Sequence, residues 1–536
     1  MLGCPLLPSA WAALVLLVLL GALFSLSELA RKRATSSTAT QTSPGKGWAL
    51  GRQLWSSLSQ VWSSSPSPSC SLPGPPSLPI FGNILDLARE HLPEHLTSLA
   101  RRYGNIYRLR CGSTDMVVLN STELIREALV KKWSDFAGRP QSYTGDVVCG
   151  GGKDLSLGDY SGVWRAQRRL VHSALQRCRA SVLETVITQE AQRLKQVLLG
   201  YQETPVDLSE DFTLAASNII TTLVFGKQYE KGDPELSSLH SCLNEIVSLW
   251  GSPWISILDS LPFLRRLPNP PFARLLKAVA RRDDIIRAHL EDYKKQRLGC
   301  STGGDITAAL LQSLESPGEA PESEALTEGH VHMAIVDLLI GGTETTASWL
   351  SWTVAFLLHS PQVQSSVSSE LRSVLVSRCP VYSDRQTLPH LSALINEVLR
   401  LRPVAPLAVP HRATRDSSIA GHFIPKDTVV IANLFGAHHD PALWSAPYCF
   451  RPERFLGRGA GAAARGLLPF GGGARLCLGE GVARTELFLF AAHLLRDFEF
   501  LPPGGEGPPD LRGAVSVVHK VKPFRVIARP RPPTSC

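Results

Sequence analysis

The ten residues 470–479, FGGGARLCLG, set one cysteine, Cys477, in a glycine-rich turn two residues after Arg475. Gly471, Gly472 and Gly473 let the backbone turn sharply and bring its N–H groups close to the sulfur. A thiolate held in that way can ligate a heme iron from below. Such ligation pushes electron density onto the metal and favours O–O cleavage, and hydrogen bonds to the sulfur tune its potential. Arg475 is placed to meet a heme propionate as a bidentate partner. A structural cysteine in a glycine-rich loop would need none of these neighbours.

With 536 residues the chain exceeds an ordinary single domain. Its 44% apolar and 19% charged residues are those of a folded protein with an extra apolar segment. The net charge of +8 is diffuse, with no basic stripe interleaved with aromatics, so no nucleic-acid partner is expected. Eleven scattered cysteines without a CxxC pair argue against a disulfide framework and against a zinc finger, and for a reducing compartment.

Residues 2–24 are almost wholly apolar, long enough to cross roughly 30 Å of hydrocarbon as a helix. Arg31, Lys32 and Arg33 follow this stretch. The positive-inside rule then leaves the remaining chain in the cytosol. The basic flank lies on the wrong side for a cleaved secretory peptide, and the segment is not the amphipathic, arginine-rich type of a mitochondrial presequence. Residues 1–33 therefore read as a signal anchor with a basic flank. Residues 34–71, rich in Ser, Thr, Gly and Pro, read as a flexible linker. The run LPGPP at 72–76 stiffens the chain just before the folded region, which is expected over 72–536.

Apolar residues at three- and four-residue spacing predict helices over 92–103, 122–132, 163–174, 182–201, 208–224 and 272–296. Short β-like runs occur at 107–110, 116–119, 428–431 and 515–517, and residues 316–325 read as a surface loop. Helix dominates, the sheets are small and βαβ alternation is absent. The expected class is α+β, mostly α-helical.

Residues 330–358 read as one long, nearly uncharged helix, interrupted by GGTETT at 341–346. Two interior glycines cost a helix about 1 kcal/mol each. Close approach of a flat cofactor and a local kink would account for them. Glu344 and Thr345 offer a relay of carboxylate and hydroxyl that can carry protons to bound dioxygen. Glu397 and Arg400 lie one helical turn apart. With Arg454 in the later FRPERF stretch they can form a buried Glu–Arg–Arg cluster serving folding and heme retention. In WRAQR at 164–168, Trp164 and Arg168 suit hydrogen bonds to heme propionates. Arg165 and Arg169 form an adjacent basic face that an acidic electron-donor protein could meet. GGGK at 150–153 lacks the remainder of a phosphate-binding loop.

These motifs, in this order, resemble the cytochrome P-450 family over about residues 72–536, and the anchor and proline hinge resemble its microsomal members. Longer stretches, among them DLSLGDYSGVW, SLPFLRRLPNP and VLRLRPVAPLAVPHR, are similar to the branch of that family that hydroxylates steroids at carbon 21. The resemblance implies a cytochrome P-450 fold with an N-terminal membrane anchor helix, heme b with Cys477 as axial thiolate, and use of dioxygen. Electrons are expected from NADPH through NADPH-cytochrome P-450 reductase, at the cytosolic face of the endoplasmic reticulum membrane. The implied reaction converts progesterone and 17α-hydroxyprogesterone to 11-deoxycorticosterone and 11-deoxycortisol; the alternative is hydroxylation at another position such as carbon 17. By the same match Arg139, Trp164, Arg168, His411 and Arg475 hold the heme, Arg265 meets the steroid 3-keto oxygen, and Asp337 lines the pocket. Ala405 stands where a bulkier residue is often found, a change that would loosen regiochemistry.

Overall fold

The computed structural model describes residues 72–532 except 79–81, 113, 261, 298–304, 316–325 and 377. The anchor, the linker and the expected loop at 316–325 lie outside the described residues. Among the described residues no helix is long and apolar enough to cross a membrane.

A long helix, Glu328–His359, runs through the largest hydrophobic cluster. From Thr346 to Leu358 every side chain is buried, which is why its sequence carries almost no amphipathic stripe there. It packs against the helices Ser209–Phe225 and Glu480–Asp497. Contrary to the expected interruption, the helix continues without a break through the two glycines. The glycines differ in purpose. A Cβ on Gly342 would come within 3.0 Å of Ile220, so this glycine lets the Ser209–Phe225 helix close in. A Cβ on Gly341 would meet nothing within 4 Å, so that position opens onto free space.

The main sheet has four strands. Strand β1, Ile106–Cys111, pairs antiparallel with β2, Thr114–Leu119, with Ile106 opposite Leu119. Three short strands follow later in the chain: β3 (His411–Arg412), β4 (Ser417–Ile419) and β5 (His422–Ile424). The last strand of the main sheet, β6 (Val429–Ala432), is buried at every position, runs parallel to β2 and pairs antiparallel with β3. A β-bridge between Gly138 and Arg412 then lays the segment carrying Arg139 alongside His411. Two residues far apart in the chain thus meet at a sheet edge.

The helix Pro389–Leu401 carries the expected buried cluster. Arg400 donates Nε to Glu397 at 2.8 Å and Nη2 at 2.9 Å, and Arg454 reaches the same carboxylate at 3.1 Å. Remaining donors are satisfied: Arg400 Nη1 bonds the His438 and Pro447 carbonyls at 2.7 and 2.8 Å, and Arg454 Nη1 the Ser445 carbonyl at 2.9 Å. Glu397 also accepts the Arg451 N–H at 2.8 Å. Both Glu397 and Arg400 are fully buried, so removing the one anion strands charge in the interior. Glu397→Ala is expected to lower unfolding stability by about 3–5 kcal/mol in a denaturant titration. A loss below about 1 kcal/mol would show the cluster to be dispensable.

Candidate active site

Cys477 follows a single 3-10 turn, Gly473–Arg475, and its N–H donates to the Phe470 carbonyl at 3.0 Å. Gly473 has φ +65°, and a Cβ there would lie 1.6 Å from the Leu129 carbonyl oxygen. No other residue can occupy that turn without displacing the π-helical segment Glu127–Lys131 beneath it. The cysteine lies deep in the chain's interior yet keeps an accessible side chain. Burial raises its thiol pKa, while the Gly479 N–H and the charge of Arg168 lower it. Those last two are the groups that would stabilise a thiolate.

Three guanidiniums gather nearby. Arg139, almost fully buried, donates Nε to the Ser156 carbonyl at 2.7 Å and Nη1 to the Val409 and Pro410 carbonyls at 2.9 and 3.0 Å. Arg475 donates to the carbonyls of Ala137 (2.9 Å), Leu155 (3.2 Å) and Gly158 (2.8 Å), and lies 3.9 Å over the Trp164 ring. Arg168 bonds the Leu476 carbonyl next to Cys477. Among the described residues none of the three is in an ion pair, and their side-chain hydrogen bonds all go to carbonyl oxygens. Burial followed by mutual repulsion lowers Arg139 well below the usual arginine value. Burial lowers Arg475 to about 10, with Asp159 opposing and Arg168 adding to the fall. His411 is buried against this charge: its Nδ1 donates to the Phe136 carbonyl at 2.8 Å, and burial with Arg139 and Arg475 holds it neutral.

A cluster of one buried and two half-buried cations, hydrogen-bonded only to neutral carbonyls, is costly unless anions join it. The two propionates of a heme would supply that charge, and the accessible Cys477 beside Arg168 would supply a thiolate ligand. The donor set therefore fits heme. Trp164 enters differently from the sequence expectation. Its Nε1 donates to the Leu155 carbonyl at 3.0 Å, so its N–H is committed to protein and its ring serves as a floor beneath Arg475 and Arg168.

Thr345 donates its hydroxyl to the Gly341 carbonyl at 2.6 Å. Its neighbour Glu344 is half-buried and pairs with Lys520. Lys520 arrives on a hairpin pinned to the long helix, since the His519 carbonyl accepts from Ser348 at 2.8 Å and from Trp352 at 2.9 Å. Sequence reasoning had no signal for that partner. Asp337 lies two turns before Glu344 on the same helix, with its oxygens bonded to Leu155 and Ser156. Arg265 stands in the short 3-10 helix Pro262–Arg266. It donates Nε to the Leu258 carbonyl at 2.8 Å and stacks 4.5 Å over Tyr143.

A buried acid escaped the sequence reading altogether. Glu486, in the helix that follows Cys477, accepts the Thr346 hydroxyl at 2.6 Å. This bond ties the long helix to the helix of the cysteine loop. Burial raises the Glu486 carboxyl to about 7. A carboxyl whose folded pKa is raised holds its proton more tightly when folded. Its contribution is full below the ordinary value of 4.5 and is lost as pH rises from there through about 7. Thermal unfolding across that range should show a declining stability that Glu486→Gln flattens; an identical slope in the variant would contradict the assignment.

The Cytochrome P450 family pattern matches residues 72–528. The chain is 45% identical over 460 residues to the human steroid 21-hydroxylase, covering 84% of this chain and 92% of that one. It is 44% identical to the bovine enzyme of the same name over 466 residues, covering 84% and 91%. Two solved structures of a zebra fish cytochrome P450, one with abiraterone and one with progesterone, match with TM-scores of 0.71 and 0.73. Both are 36% identical and cover 82% of this chain, and 100% and 99% of theirs. The chain belongs to the cytochrome P450 family. It is accordingly a heme-thiolate monooxygenase.

Proposed function

We propose that this enzyme hydroxylates progesterone and 17α-hydroxyprogesterone at carbon 21. The observation that carries the reading is the 45% identity to a steroid 21-hydroxylase sustained over 92% of that protein. A likeness of that length leaves the substrate-facing segments, as well as the family motifs, in common. The progesterone-bound zebra fish neighbour supports a pocket shaped for the same steroid nucleus. Electrons come from NADPH through the membrane-bound reductase, which meets the exposed Arg165 and Arg169 face. The catalytic body stands at the cytosolic face of the endoplasmic reticulum, tethered by residues 1–33.

In this reading Arg139, Arg168 and Arg475 hold the heme carboxylates, His411 adds a neutral imidazole to the same wall, and Cys477 ligates the iron. The bound heme supplies the activation of dioxygen and the transfer of one oxygen atom to a C–H bond. What the chain adds is position, dryness and proton control. Arg265 donates to the steroid 3-keto oxygen at the far end of an apolar pocket, and this fixes which end faces the metal. Asp337 stands on the helix that walls that pocket. Thr345 can release the Gly341 carbonyl and turn its hydroxyl toward the metal-facing side. Glu344, paired with Lys520, exchanges protons with water at the helix edge.

Two measurements test this reading. Membranes carrying the protein, supplied with reductase, NADPH and 17α-hydroxyprogesterone, should yield chiefly 11-deoxycortisol. A hydroxyl placed predominantly at another carbon would overturn the steroid pose while leaving the heme chemistry. Cys477→Ser should abolish the thiolate-type carbon monoxide band of the reduced protein, and an unchanged band would remove Cys477 as ligand.

A further inference from the structure

Asp337 is expected to face substrate, yet both of its oxygens are engaged by the loop 154–158. Oδ2 accepts the Leu155 N–H at 2.6 Å, and Oδ1 accepts the Ser156 hydroxyl at 2.7 Å. That loop is also the platform on which two of the heme-facing arginines rest. The Ser156 carbonyl accepts from Arg139 at 2.7 Å, the Leu155 carbonyl from Arg475 at 3.2 Å and from Trp164 at 3.0 Å, and the Gly158 carbonyl from Arg475 at 2.8 Å. The peptide units at Leu155 are therefore held from two sides. The long helix grips the N–H and the arginine–tryptophan pair grips the carbonyl.

Within the loop the chain has little room to adjust. Asp154 accepts the Leu157 N–H at 2.8 Å, and a Cβ on Gly158 would come within 2.3 Å of the Asp154 carbonyl oxygen. A shift at Leu155 or Ser156 is thus passed directly to the carbonyls that aim Arg139 and Arg475. Resting on the heme reading above, we propose that Asp337 is a positioning residue for the cofactor: it fixes the loop 154–158 so that two guanidiniums are aimed at the heme carboxylates. The long helix then sets the steroid wall and the propionate clamp with one side chain, without Asp337 touching the heme.

The electrostatics agree with this arrangement. Burial, and then the neighbouring Asp154, raise Asp337 to about 8. Asp154 is itself raised by burial, and its Oδ1 has no hydrogen-bond partner. Arg282 offsets part of the charge of this pair. A neutral Asp337 still accepts the Leu155 N–H through its carbonyl oxygen.

The test uses the purified holoprotein and the variants Asp337→Ala and Ser156→Ala. Heme release is followed by transfer to excess apomyoglobin, the propionate bending band by resonance Raman, and steroid affinity by the spin-state titration. Ser156→Ala removes one anchoring bond and should release heme about fivefold faster, the worth of one ordinary hydrogen bond. Asp337→Ala, which removes the acceptors of both the Leu155 N–H and the Ser156 hydroxyl, should release it about tenfold faster or more. Both should shift the propionate band in the fraction that retains heme, a change that general loosening of the fold would not produce. Ser156→Ala should leave steroid affinity within about twofold. Unchanged release and an unchanged band in both variants, with weakened steroid binding in Asp337→Ala, would overturn the proposal and make Asp337 a direct steroid contact. A wild-type protein without a thiolate-type heme spectrum would instead refute the heme reading on which the proposal rests.

Discussion

Buried positive charge that the chain does not neutralise is the constraint around which this molecule is organised. The buried Arg139 and the half-buried Arg168 and Arg475 gather in one place, their side-chain hydrogen bonds going to carbonyls and none of them closing an ion pair with a carboxylate among the described residues. Such a cluster is tolerable where a pair of carboxylates arrives with a ligand, and the loop bearing Cys477 brings the ligand's other attachment point to the same place. Arg168 links the two functions physically, since it bonds the carbonyl of Leu476 and acts electrostatically on the Cys477 sulfur. Thiolate ligation and propionate binding would therefore be one arrangement with two ends.

Around that centre the fold supplies three ties between elements far apart in the chain. The Gly138–Arg412 bridge sets Arg139 beside His411. The Thr346–Glu486 bond joins the long helix to the helix beginning just after the cysteine loop. The hairpin carrying His519 and Lys520, fastened by Ser348 and Trp352, sets a cation against Glu344. Each tie is a hydrogen bond or short bridge anchored in a region packed tightly enough to keep it, because the long helix is buried on all sides through its second half. The Glu397–Arg400–Arg454 cluster, fully buried at Glu397 and Arg400, stabilises the shell that holds these ties.

Much of this was legible in the amino-acid sequence, and the exceptions have physical causes. The expected helix at 92–103 matches in full, and those expected at 163–174 and 182–201 appear as Gly162–Ser181 and Leu183–Gly200, since apolar spacing marks an exposed amphipathic helix well. The helix Glu480–Asp497 was not singled out, because it is buried at every position from Thr485 to Leu495, its polar residues included, and so has no stripe to detect. The Cys477 loop and the Glu397 cluster announce themselves through residue types that are costly to bury for any other purpose. Glu486 does not, since one acid in a helix looks like a solvated one until its neighbours are known. Backbone carbonyls leave no trace in sequence either, so the platform at 154–158 and the true engagement of the Trp164 N–H emerge only from the coordinates. The paired glycines were read as one feature, yet Gly342 answers to Ile220 and Gly341 to open space. The expected break in the helix does not occur.

The central claim is that the buried arginines exist to receive two carboxylates. Reconstituting the heme-free protein with heme and, separately, with heme whose two propionates are methyl esters isolates that claim from everything else in the pocket. The account predicts that the diester is retained at least about a hundredfold less well, from the loss of two charge-assisted hydrogen-bonding groups facing buried cations. Equal retention of the two compounds would contradict it, and would leave the cluster at Arg139 and Arg475 without the role assigned to it.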